Sequence, residues 1–463
     1  MKRMVQRTLG LVAGLFAILS ATSSLAQTLS QQQTAAIDEA AKKALTVTGV
    51  PAASVAVVQG GKIVYVHAYG MQRQGQSAQV SARFAIGSVS KQFTAAAILL
   101  LADDGKLTLD DPVGKYLPTL TRANDVTIRQ LLTHTSGYRD YFPQDYEPEF
   151  MKKPVSPMAI LDRWAKAPLD FEPGSQWQYS NTGYVAAGLI VEKVSGQPLE
   201  AFLHDRVFTK LGMAPVNSAT DLQGADAFGH SRSAWGPVRT VPLNSPGWLF
   251  AAGQLAMTAS DLARWDISMI EQNVMSAAAY TTQRTEQLLR NGAGTDYGLG
   301  IYVKAVRGHR MLRHSGATTG FLSENRVYPD DRAAIVVLVN ADYGNATDSI
   351  ADVIEAQLFA TSAGVQRARS LAEMLRSGRI DRAAFTANGN YALSPTVLAD
   401  YQASLAPLRD PKSITQTQST LRGGFTLERF TFDFGDKALQ ATLRAEPGDG
   451  GKVEEFMLTP IDR

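Results

Sequence analysis

The first part of the chain shows hydrophobic spacings typical of a helix, a hairpin and a second helix, in that order. Apolar residues recur at helical spacing from Thr34 to Leu45, which predicts an amphipathic helix on the surface of the fold. Two β-rich runs, Ser54–Val58 and Lys62–Val66, are separated by Gly60-Gly61 and predict a hairpin. The long apolar run from Phe93 to Leu101 predicts a buried helix.

The hydrophobic periodicity predicts that the middle of the chain, from Asn124 to about Asp261, is mainly helical. Strand-like runs follow it. These runs are Gly298–Lys304, Met311–Arg313, Phe321–Tyr328 and Ala333–Asn340, and an amphipathic helix at Asp348–Phe359 follows them. Because the hairpin comes first and these strands come last, the simplest assembly is one antiparallel sheet made from both ends, with helices on its faces. We therefore predict an α/β (α+β) fold with an inserted helical subdomain, and a cleft between subdomain and sheet.

The composition shifts after about Thr361. Two helical segments precede three alternating runs in this last part, at Ala368–Arg376, Pro395–Leu405, Phe425–Phe434, Ala438–Arg444 and Val453–Leu458. Helices followed by antiparallel strands predict a separate small α+β domain over residues 362–463. The order of its elements resembles the cone-shaped NTF2-like fold, a likeness of architecture alone.

The N-terminus has the pattern of a secretory signal peptide. Lys2, Arg3 and Arg7 precede an apolar run from Leu9 to Leu19, and small residues lead to a cleavage site at Ala26/Gln27. The apolar run is short for a membrane span, and an uncleaved anchor is the alternative. We expect a signal peptide at 1–26, a main domain at 27–361, a periplasmic or secreted location and no membrane span after cleavage.

The amino-acid composition excludes or disfavours several classes of function. The 45 basic and 43 acidic residues nearly balance, so nothing predicts nucleic-acid binding. The absence of cysteine excludes thiol catalysis and thiolate metal sites and suits an exported protein that folds without disulfides. The six histidines are scattered, without a tight ligand cluster. We expect no metal and no cofactor.

Ser88 and Lys91 form the only S-x-x-K of the chain, at the start of the predicted buried helix. One helical turn separates them, so the amine can reach the hydroxyl. The N–H of Ser88 would be among the unpaired donors at the positive end of the helix. The alternative is an ordinary capping serine beside a solvated lysine.

Two further short motifs stand at element boundaries. Tyr179-Ser180-Asn181 precedes an apolar helical run, where Asn181 could be a helix cap. His314-Ser315-Gly316 ends a strand run and is followed by Ala317. Each alone could be only a turn.

The three motifs together resemble those of the penicillin-recognising serine hydrolases, which include class C β-lactamases, D,D-peptidases, D-aminopeptidases and related esterases. The family pattern is S-x-x-K at a helix start, Y-x-N on a subdomain loop and K-T-G or H-x-G on an edge strand. The resemblance covers roughly Ile37 to Phe359 and includes supporting matches at Leu131–Gly137, Ala252-Gly253, Thr258–Ala263 and Asp296–Gly300. It implies a β-lactamase/transpeptidase-like fold and acyl-enzyme chemistry on a serine.

The residues allow this chemistry to be argued directly. A serine needs a base to remove its proton, and both a neutral Lys91 and an ionised or relaying Tyr179 are candidates, with the choice open. Asn181 can donate to a substrate carbonyl and accept from Lys91. The resemblance implies an oxyanion hole made by the N–H groups of Ser88 and Ala317.

His314 stands where β-lactamases have a lysine. A histidine is largely neutral at pH 7, and Arg313 should point to the opposite face of the strand. This departure disfavours efficient β-lactam hydrolysis and favours the D-aminopeptidase, D,D-peptidase and esterase branches. The aromatic residues of Tyr138–Tyr146 and Trp248–Phe250 line an acyl pocket or pack in the core, and His134 fits a structural turn better than a catalyst.

The sequence thus predicts an exported serine hydrolase acting on an ester or amide, either a D-amino-acid peptide or a small carboxylic ester. Its partner would be a small-molecule or peptide substrate, for which a cell-wall origin is one option. A class C-like β-lactamase and a non-catalytic penicillin-binding sensor are the alternatives. The oligomeric state and the role of the last hundred or so residues do not follow from the sequence.

Overall fold

A computed structural model describes residues 29–461 except 145, 307–308, 360–362 and 449. The predicted signal peptide and its cleavage site lie outside these residues. None of the helices in the described part of the chain has the length and apolarity needed to cross a membrane.

The helices and strands follow the chain in this order. The helices among the described residues are α1 (Gln31–Thr48), α2 (Lys91–Asp103), α3 (Ile128–Leu132), α4 (Pro157–Trp164), α5 (Asn181–Ser195), α6 (Leu199–Leu203), α7 (Thr209–Leu211), α8 (Ala259–Glu271), α9 (Ala277–Gln283), α10 (Ala346–Leu358), α11 (Ala363–Ser377), α12 (Ala387–Ala392) and α13 (Pro395–Leu405). The strands are β1 (Ala52–Gln59), β2 (Lys62–Arg73), β3 (Gln76–Ser77), β4 (Phe84–Ala85), β5 (Val216–Asn217), β6 (His230–Ser231), β7 (Arg239–Thr240), β8 (Leu255–Met257), β9 (Tyr302–Val306), β10 (His309–Thr318), β11 (Phe321–Tyr328), β12 (Ala333–Val339), β13 (Ser413–Arg422), β14 (Phe425–Asp433), β15 (Ala438–Ala445) and β16 (Val453–Ile461).

The main sheet joins the two ends of the first domain. Its seven strands lie in the order β3-β2-β1-β12-β11-β10-β9, and every pairing is antiparallel. The central contact is between β1 and β12, where Ala53 faces Val339 and Val58 faces Ala334. The predicted antiparallel sheet built from both ends of the domain is confirmed.

Side chains of the central strands alternate between two hydrophobic cores. Val55 and Val57 pack with α1 and α10 on one face of the sheet. Ala56 and Val58 face the other core, which contains α2, α8 and most of the helical subdomain. Because both faces are covered, β1 and β12 are apolar at almost every position, which is the pattern of a fully buried strand.

Helix α2 lies at the centre of the helical subdomain. All of its residues from Lys91 to Leu101 are buried, and it packs against α5, α6 and α9. A single 3₁₀ turn, Gly87–Ser90, precedes it, and Gly105 in the left-handed conformation follows its C-terminal cap. The predicted buried helix is therefore present, and Ser88 lies in the turn that leads into it.

The C-terminal part of the chain has its own hydrophobic core and a sheet in the order β13-β14-β15-β16. Ser394 caps α13 by accepting a hydrogen bond from the Val397 N–H, with Pro395 in the first turn, as the sequence indicates. Strand β13 was not predicted, because its threonine, glutamine and serine side chains are polar on both faces of an edge strand. The boundary near residue 361 and the NTF2-like architecture stay predictions.

Candidate active site

Two glycines bring the turn that carries Ser88 against strand β10. Gly87 has φ +49°, and a side chain there would lie 2.8 Å from the Ala317 nitrogen. A Cβ at Gly316 would overlap the carbonyl oxygen of Ile86. Only backbone can therefore occupy this contact, which places the N–H of Ala317 beside the residue that precedes Ser88.

The same part of β10 has an open edge. Strand β9 pairs with His309–Arg313 only, so among the described strands none covers the outer edge of Ser315–Thr318. Backbone groups on such an edge are available to an extended ligand. The two N–H groups implied as oxyanion donors, those of Ser88 and Ala317, thus lie at a partly exposed place beside an unpaired strand edge.

Lys91 is fully buried and its ammonium nitrogen has three oxygen neighbours. Nζ lies 3.0 Å from Ser88 Oγ, 2.8 Å from Asn181 Oδ1 and 2.7 Å from the carbonyl oxygen of Ala252. The amide and carbonyl oxygens can only accept hydrogen bonds, whereas a hydroxyl can accept or donate. A neutral amine that donates to these two oxygens would direct its lone pair at the hydroxyl of Ser88.

Burial lowers the pKa of Lys91 from its ordinary value near 10.5 to about 7, and the negative charge of Asp140 opposes this shift. A lysine in water is almost entirely protonated at neutral pH, so this environment makes the neutral form accessible. A neutral amine is one requirement for a base, and the role of Lys91 as the base stays a prediction.

Tyr179 lies next to the same amine. The Lys91 nitrogen is 4.9 Å from the centre of its ring. Burial raises the pKa of the Tyr179 hydroxyl well above 10, and the neighbouring hydroxyl of Ser88 offsets this only in part. The phenol is protonated at neutral pH, so it can donate a hydrogen bond or relay a proton but is not present as a phenolate.

Asn181 is the first residue of α5, and Ser180 is its N-cap, accepting from the Gly183 N–H. The prediction that Asn181 could be the helix cap is therefore wrong. The Asn181 side chain makes other contacts: Oδ1 accepts a hydrogen bond from Lys91, and Nδ2 donates one to Asp140 at 3.3 Å.

Asp140 is a site residue that sequence reasoning missed. Its Oδ1 accepts a hydrogen bond from the Asn181 backbone at 2.9 Å, and it is 7% exposed. Burial raises the pKa of its carboxyl, while the hydrogen bonds from Asn181 act in the opposite direction. It belongs to none of the three motifs, and its closeness to the Leu131–Gly137 match is the one signal that could have indicated it.

His134 holds the loop that carries Tyr179. It has φ +59°, its Nδ1 accepts from the Ser180 N–H at 3.0 Å, and its ring centre is 4.2 Å from that of Tyr179. Burial and the nearby charge of Lys91 hold the pKa of His134 well below its usual value. The geometry agrees with the expected role of a structural turn residue.

His314 is buried within β10 and provides no fixed cation. Its Nε2 lies 2.9 Å from the Tyr297 hydroxyl and its Nδ1 2.6 Å from the Ser315 carbonyl oxygen. Burial and the charge of Lys91 lower the pKa of His314 to about 3, so the ring is neutral at physiological pH. Arg313 points to the opposite face, where it pairs with Glu324 and Asp348, as strand alternation predicts.

The aromatic residues suggested by the sequence are mostly core residues. Tyr138, Tyr141 and Trp248 are almost completely buried, and the indole N–H of Trp248 donates to the Lys153 carbonyl oxygen at 2.7 Å. Tyr146, in contrast, is 70% exposed. The sequence left two roles open for these aromatic residues, lining an acyl pocket or packing in the core. Core packing describes Tyr138, Tyr141 and Trp248.

A serine in contact with a buried lysine, flanked by a tyrosine and an asparagine from a helical subdomain and by an antiparallel sheet edge, defines a class of protein: the β-lactamase and transpeptidase-like serine hydrolases. The comparison with protein families specifies which family this is. The Beta-lactamase family matches residues 37–358, and the chain belongs to this family.

Known relatives agree with this assignment. Penicillin-binding protein 4* of Bacillus subtilis (strain 168) is 30% identical over 307 residues, which span 62% of this chain and 68% of that protein. The D-aminopeptidase of Brucella anthropi is 26% identical over 327 residues, which span 68% of this chain and 61% of that protein. The chain thus spans about two thirds of the length of these relatives.

Solved structures give the same fold. A D-stereospecific amidohydrolase from Streptomyces sp. is 28% identical with a TM-score of 0.61, covering 71% of this chain and 99% of its own. An octameric penicillin-binding protein homologue from Pyrococcus abyssi is 20% identical with a TM-score of 0.63, covering 92% of this chain and 99% of its own. The family and the fold inferred from the three motifs are confirmed.

Proposed function

We propose that this chain is an acyl-transfer serine hydrolase in which Ser88 is the nucleophile and Lys91 the base. The observation that carries the proposal is the 3.0 Å contact between Lys91 Nζ and Ser88 Oγ at a fully buried amine. Two acceptors fix the amine, and its pKa of about 7 makes the neutral form available. Tyr179 is protonated, which supports a relay role for it rather than that of the base.

The proposed reaction has two halves. The Ser88 hydroxyl attacks the substrate carbonyl carbon as its proton passes to Lys91, and the carbonyl oxygen becomes an oxyanion held by the N–H groups of Ser88 and Ala317. Tyr179 carries the proton to the leaving amine or alcohol as the carbonyl–leaving-group bond breaks. Water then attacks the acyl-enzyme by the reverse route. Each oxyanion donor contributes about 3 kcal/mol of transition-state stabilisation in such sites.

The substrate we propose is an amide or ester whose binding does not require a fixed cation at the position of His314. It is either a D-amino-acid peptide or a small carboxylic ester. The neutral, buried imidazole and the open edge of β10 support this choice. The names of two relatives, a D-aminopeptidase and a D-stereospecific amidohydrolase, point in the same direction. Export to the periplasm or medium through residues 1–26 is part of the proposal.

A panel of D-aminoacyl p-nitroanilides, short-chain p-nitrophenyl esters and nitrocefin, with Ser88→Ala as the blank, tests the substrate class. We expect kcat/KM on nitrocefin to be at least about 100-fold below that on the best ester or D-aminoacyl amide, because no cation stands at His314 to bind a substrate carboxylate. Nitrocefin turnover close to the best rate would instead favour the β-lactamase alternative. L-aminoacyl p-nitroanilides are the matched control for stereochemistry.

A penicillin-binding sensor is the second candidate, favoured by the penicillin-binding relatives. Intact-mass spectrometry after addition of a fluorophosphonate or a β-lactam separates the cases. A β-lactam adduct that persists indicates a sensor, an adduct that is lost within minutes indicates a hydrolase, and no adduct with either reagent would contradict acylation of Ser88.

The dependence of kcat/KM on pH should show an acid limb near pH 7. Lys91 acts as a base only when neutral, so activity rises as the pH passes through its pKa of about 7 and levels off above it. A limb above pH 9 would assign the base to another group, such as Tyr179. The measurement is kcat/KM on a p-nitrophenyl ester from pH 5 to 10, corrected for hydrolysis by the Ser88→Ala blank.

A further inference from the structure

The C-terminal part of the chain contains a groove that the proposed hydrolase does not use. One cavity, of about 240 Å³, is lined by residues of α11, α13 and the sheet. An adjoining cavity, of about 420 Å³, shares four residues with it: Leu405, Leu408, Leu439 and Leu458. Their combined volume falls in the range of roughly 300–1,000 Å³ typical of small-molecule sites.

The wall of this groove is apolar at the base and cationic at one end. Phe432 and Phe434 join the four leucines, and three arginines line the first cavity, at Arg369, Arg376 and Arg409. Arg376 is neutralised by Glu373 at 2.7 Å and Asp410 at 3.3 Å. Within the described part of the chain, neither Arg369 nor Arg409 has a carboxylate at ion-pair distance.

We propose that this groove binds an amphipathic carboxylate, a molecule with an unbranched apolar chain and an anionic head. The chain would displace water from the leucine and phenylalanine surface. The head would meet the guanidinium groups of Arg369 and Arg409, whose planar donor geometry matches a carboxylate. The groove would then be a ligand site separate from the one at Ser88.

Calorimetric titration of the full chain with dodecanoate tests this proposal, with dodecyltrimethylammonium as the probe of equal chain length and opposite charge. We expect saturable one-to-one binding of dodecanoate and at least tenfold weaker binding of the cation. The titration is repeated after covalent modification of Ser88 with a fluorophosphonate, and the binding should persist, since no residue of the proposed active site lines the groove.

Two variants locate the site. The double variant Arg369→Glu and Arg409→Glu should weaken dodecanoate binding at least tenfold. The control Leu421→Asp changes a side chain that is 76% exposed and outside the groove, and should leave binding unchanged. All three positions are exposed, so circular dichroism should show an unaltered fold. No saturable binding, equal affinity for the cation, or full affinity in the double variant would each overturn the proposal.

A different observation supports a second inference, which rests on the proposed function. The carboxylate of Asp140 accepts from both the backbone N–H and the side-chain Nδ2 of Asn181, at 2.9 and 3.3 Å. With Nδ2 directed at Asp140, the carboxamide turns Oδ1 towards Lys91, from which it accepts a hydrogen bond at 2.8 Å. A continuous hydrogen-bonded series therefore runs from Asp140 through Asn181 and Lys91 to Ser88.

We infer that Asp140 is a positioning residue that orients the Asn181 carboxamide and supplies the negative charge that balances Lys91. The other titratable groups packed around the amine and around the side chains next to it are His134, His314, Tyr179, Tyr184, Tyr297 and Tyr302. Burial keeps the pKa of each of these two histidines low and that of each of these tyrosines high. None of the six is charged at pH 7, and Asp140 is the acidic side chain whose negative charge acts on Lys91.

The pH profile of Asp140→Asn tests this role. Asp140 raises the pKa of Lys91, so its removal should move the acid limb of kcat/KM to lower pH, by about 0.5 unit or more. Asp140→Glu keeps the charge and should leave the limb near its original pH with a lower kcat. Asp170→Asn, which removes a carboxylate paired with Arg139, is the control and should leave the limb unchanged.

The outcomes separate this inference from the proposed function. Two results would overturn the positioning role while the hydrolase proposal stands. One is an acid limb that does not move in a folded Asp140→Asn variant. The other is an acid limb that Asp140→Glu moves as far as Asp140→Asn does. A parent protein that hydrolyses no ester or amide of the panel would contradict the proposed function itself.

Discussion

Replacing Ser88 by alanine is expected to reduce ester and amide hydrolysis at least about 10³-fold, because no other group in the proposed mechanism can form the acyl-enzyme. The substitution removes one partly exposed oxygen. Lys91 loses one of its three oxygen neighbours and keeps Asn181 and the Ala252 carbonyl. The free energy of unfolding should therefore change by less than about 1 kcal/mol.

Steady-state rates on a p-nitrophenyl ester and a D-aminoacyl p-nitroanilide, together with thermal unfolding, measure both parts of this prediction. Ser81→Ala is the matched control, since Ser81 is an exposed serine that precedes the turn carrying Ser88 and has no place in the proposed mechanism. Parental rates in purified Ser88→Ala would show that the nucleophile has been assigned wrongly.

Replacing Gly316 by alanine should lower kcat at least about 100-fold without touching any of the proposed catalytic side chains. A methyl group there would overlap the Ile86 carbonyl oxygen and crowd the Ser323 hydroxyl, which donates to that same oxygen at 2.8 Å. Because the obstacle is backbone, β10 and the Ser88 turn must move apart. The N–H groups of Ser88 and Ala317, which the proposed mechanism needs close together to bind the oxyanion, would then be separated.

Ser315→Ala is the control for this variant, because Ser315 is the exposed neighbour on the same strand and its substitution needs no movement of the backbone. Thermal unfolding should show a loss of about 1–3 kcal/mol for Gly316→Ala, as expected for overpacking, and little change for Ser315→Ala. Full activity and unchanged stability in Gly316→Ala would mean that the tight approach of the two segments is not needed for catalysis.

Much of the fold could be predicted because its elements have strong local signals. Phe321–Tyr328 was predicted with the bounds that β11 has, and so was Pro395–Leu405 for α13. Elements with weak apolar patterns were harder to place. Strand β10 extends from His309 to Thr318, well beyond the predicted Met311–Arg313, because its end is polar and lines the open edge. Strand β13 was missed for a related reason.

The candidate site, like the fold, could be predicted from the sequence only in part. The sequence by itself determined the chemical groups: a serine and a lysine one turn apart, a tyrosine and an asparagine at the start of a helix, and a histidine in place of lysine at the end of a strand run. These groups are encoded in short motifs whose local spacing is visible without tertiary structure. The substitution at His314 already indicated a neutral group at that position.

Only the tertiary structure decided how these groups work together. The Ala252 carbonyl and Asp140 reach Lys91 and Asn181 from segments far away in the chain, and no local pattern relates them. The protonation of Lys91 and Tyr179 depends on burial, which is a property of the packed interior and not of the motif. The proposed oxyanion site depends on two glycines that allow two distant backbones to touch, a contact that forms only when the sheet and the helical subdomain come together.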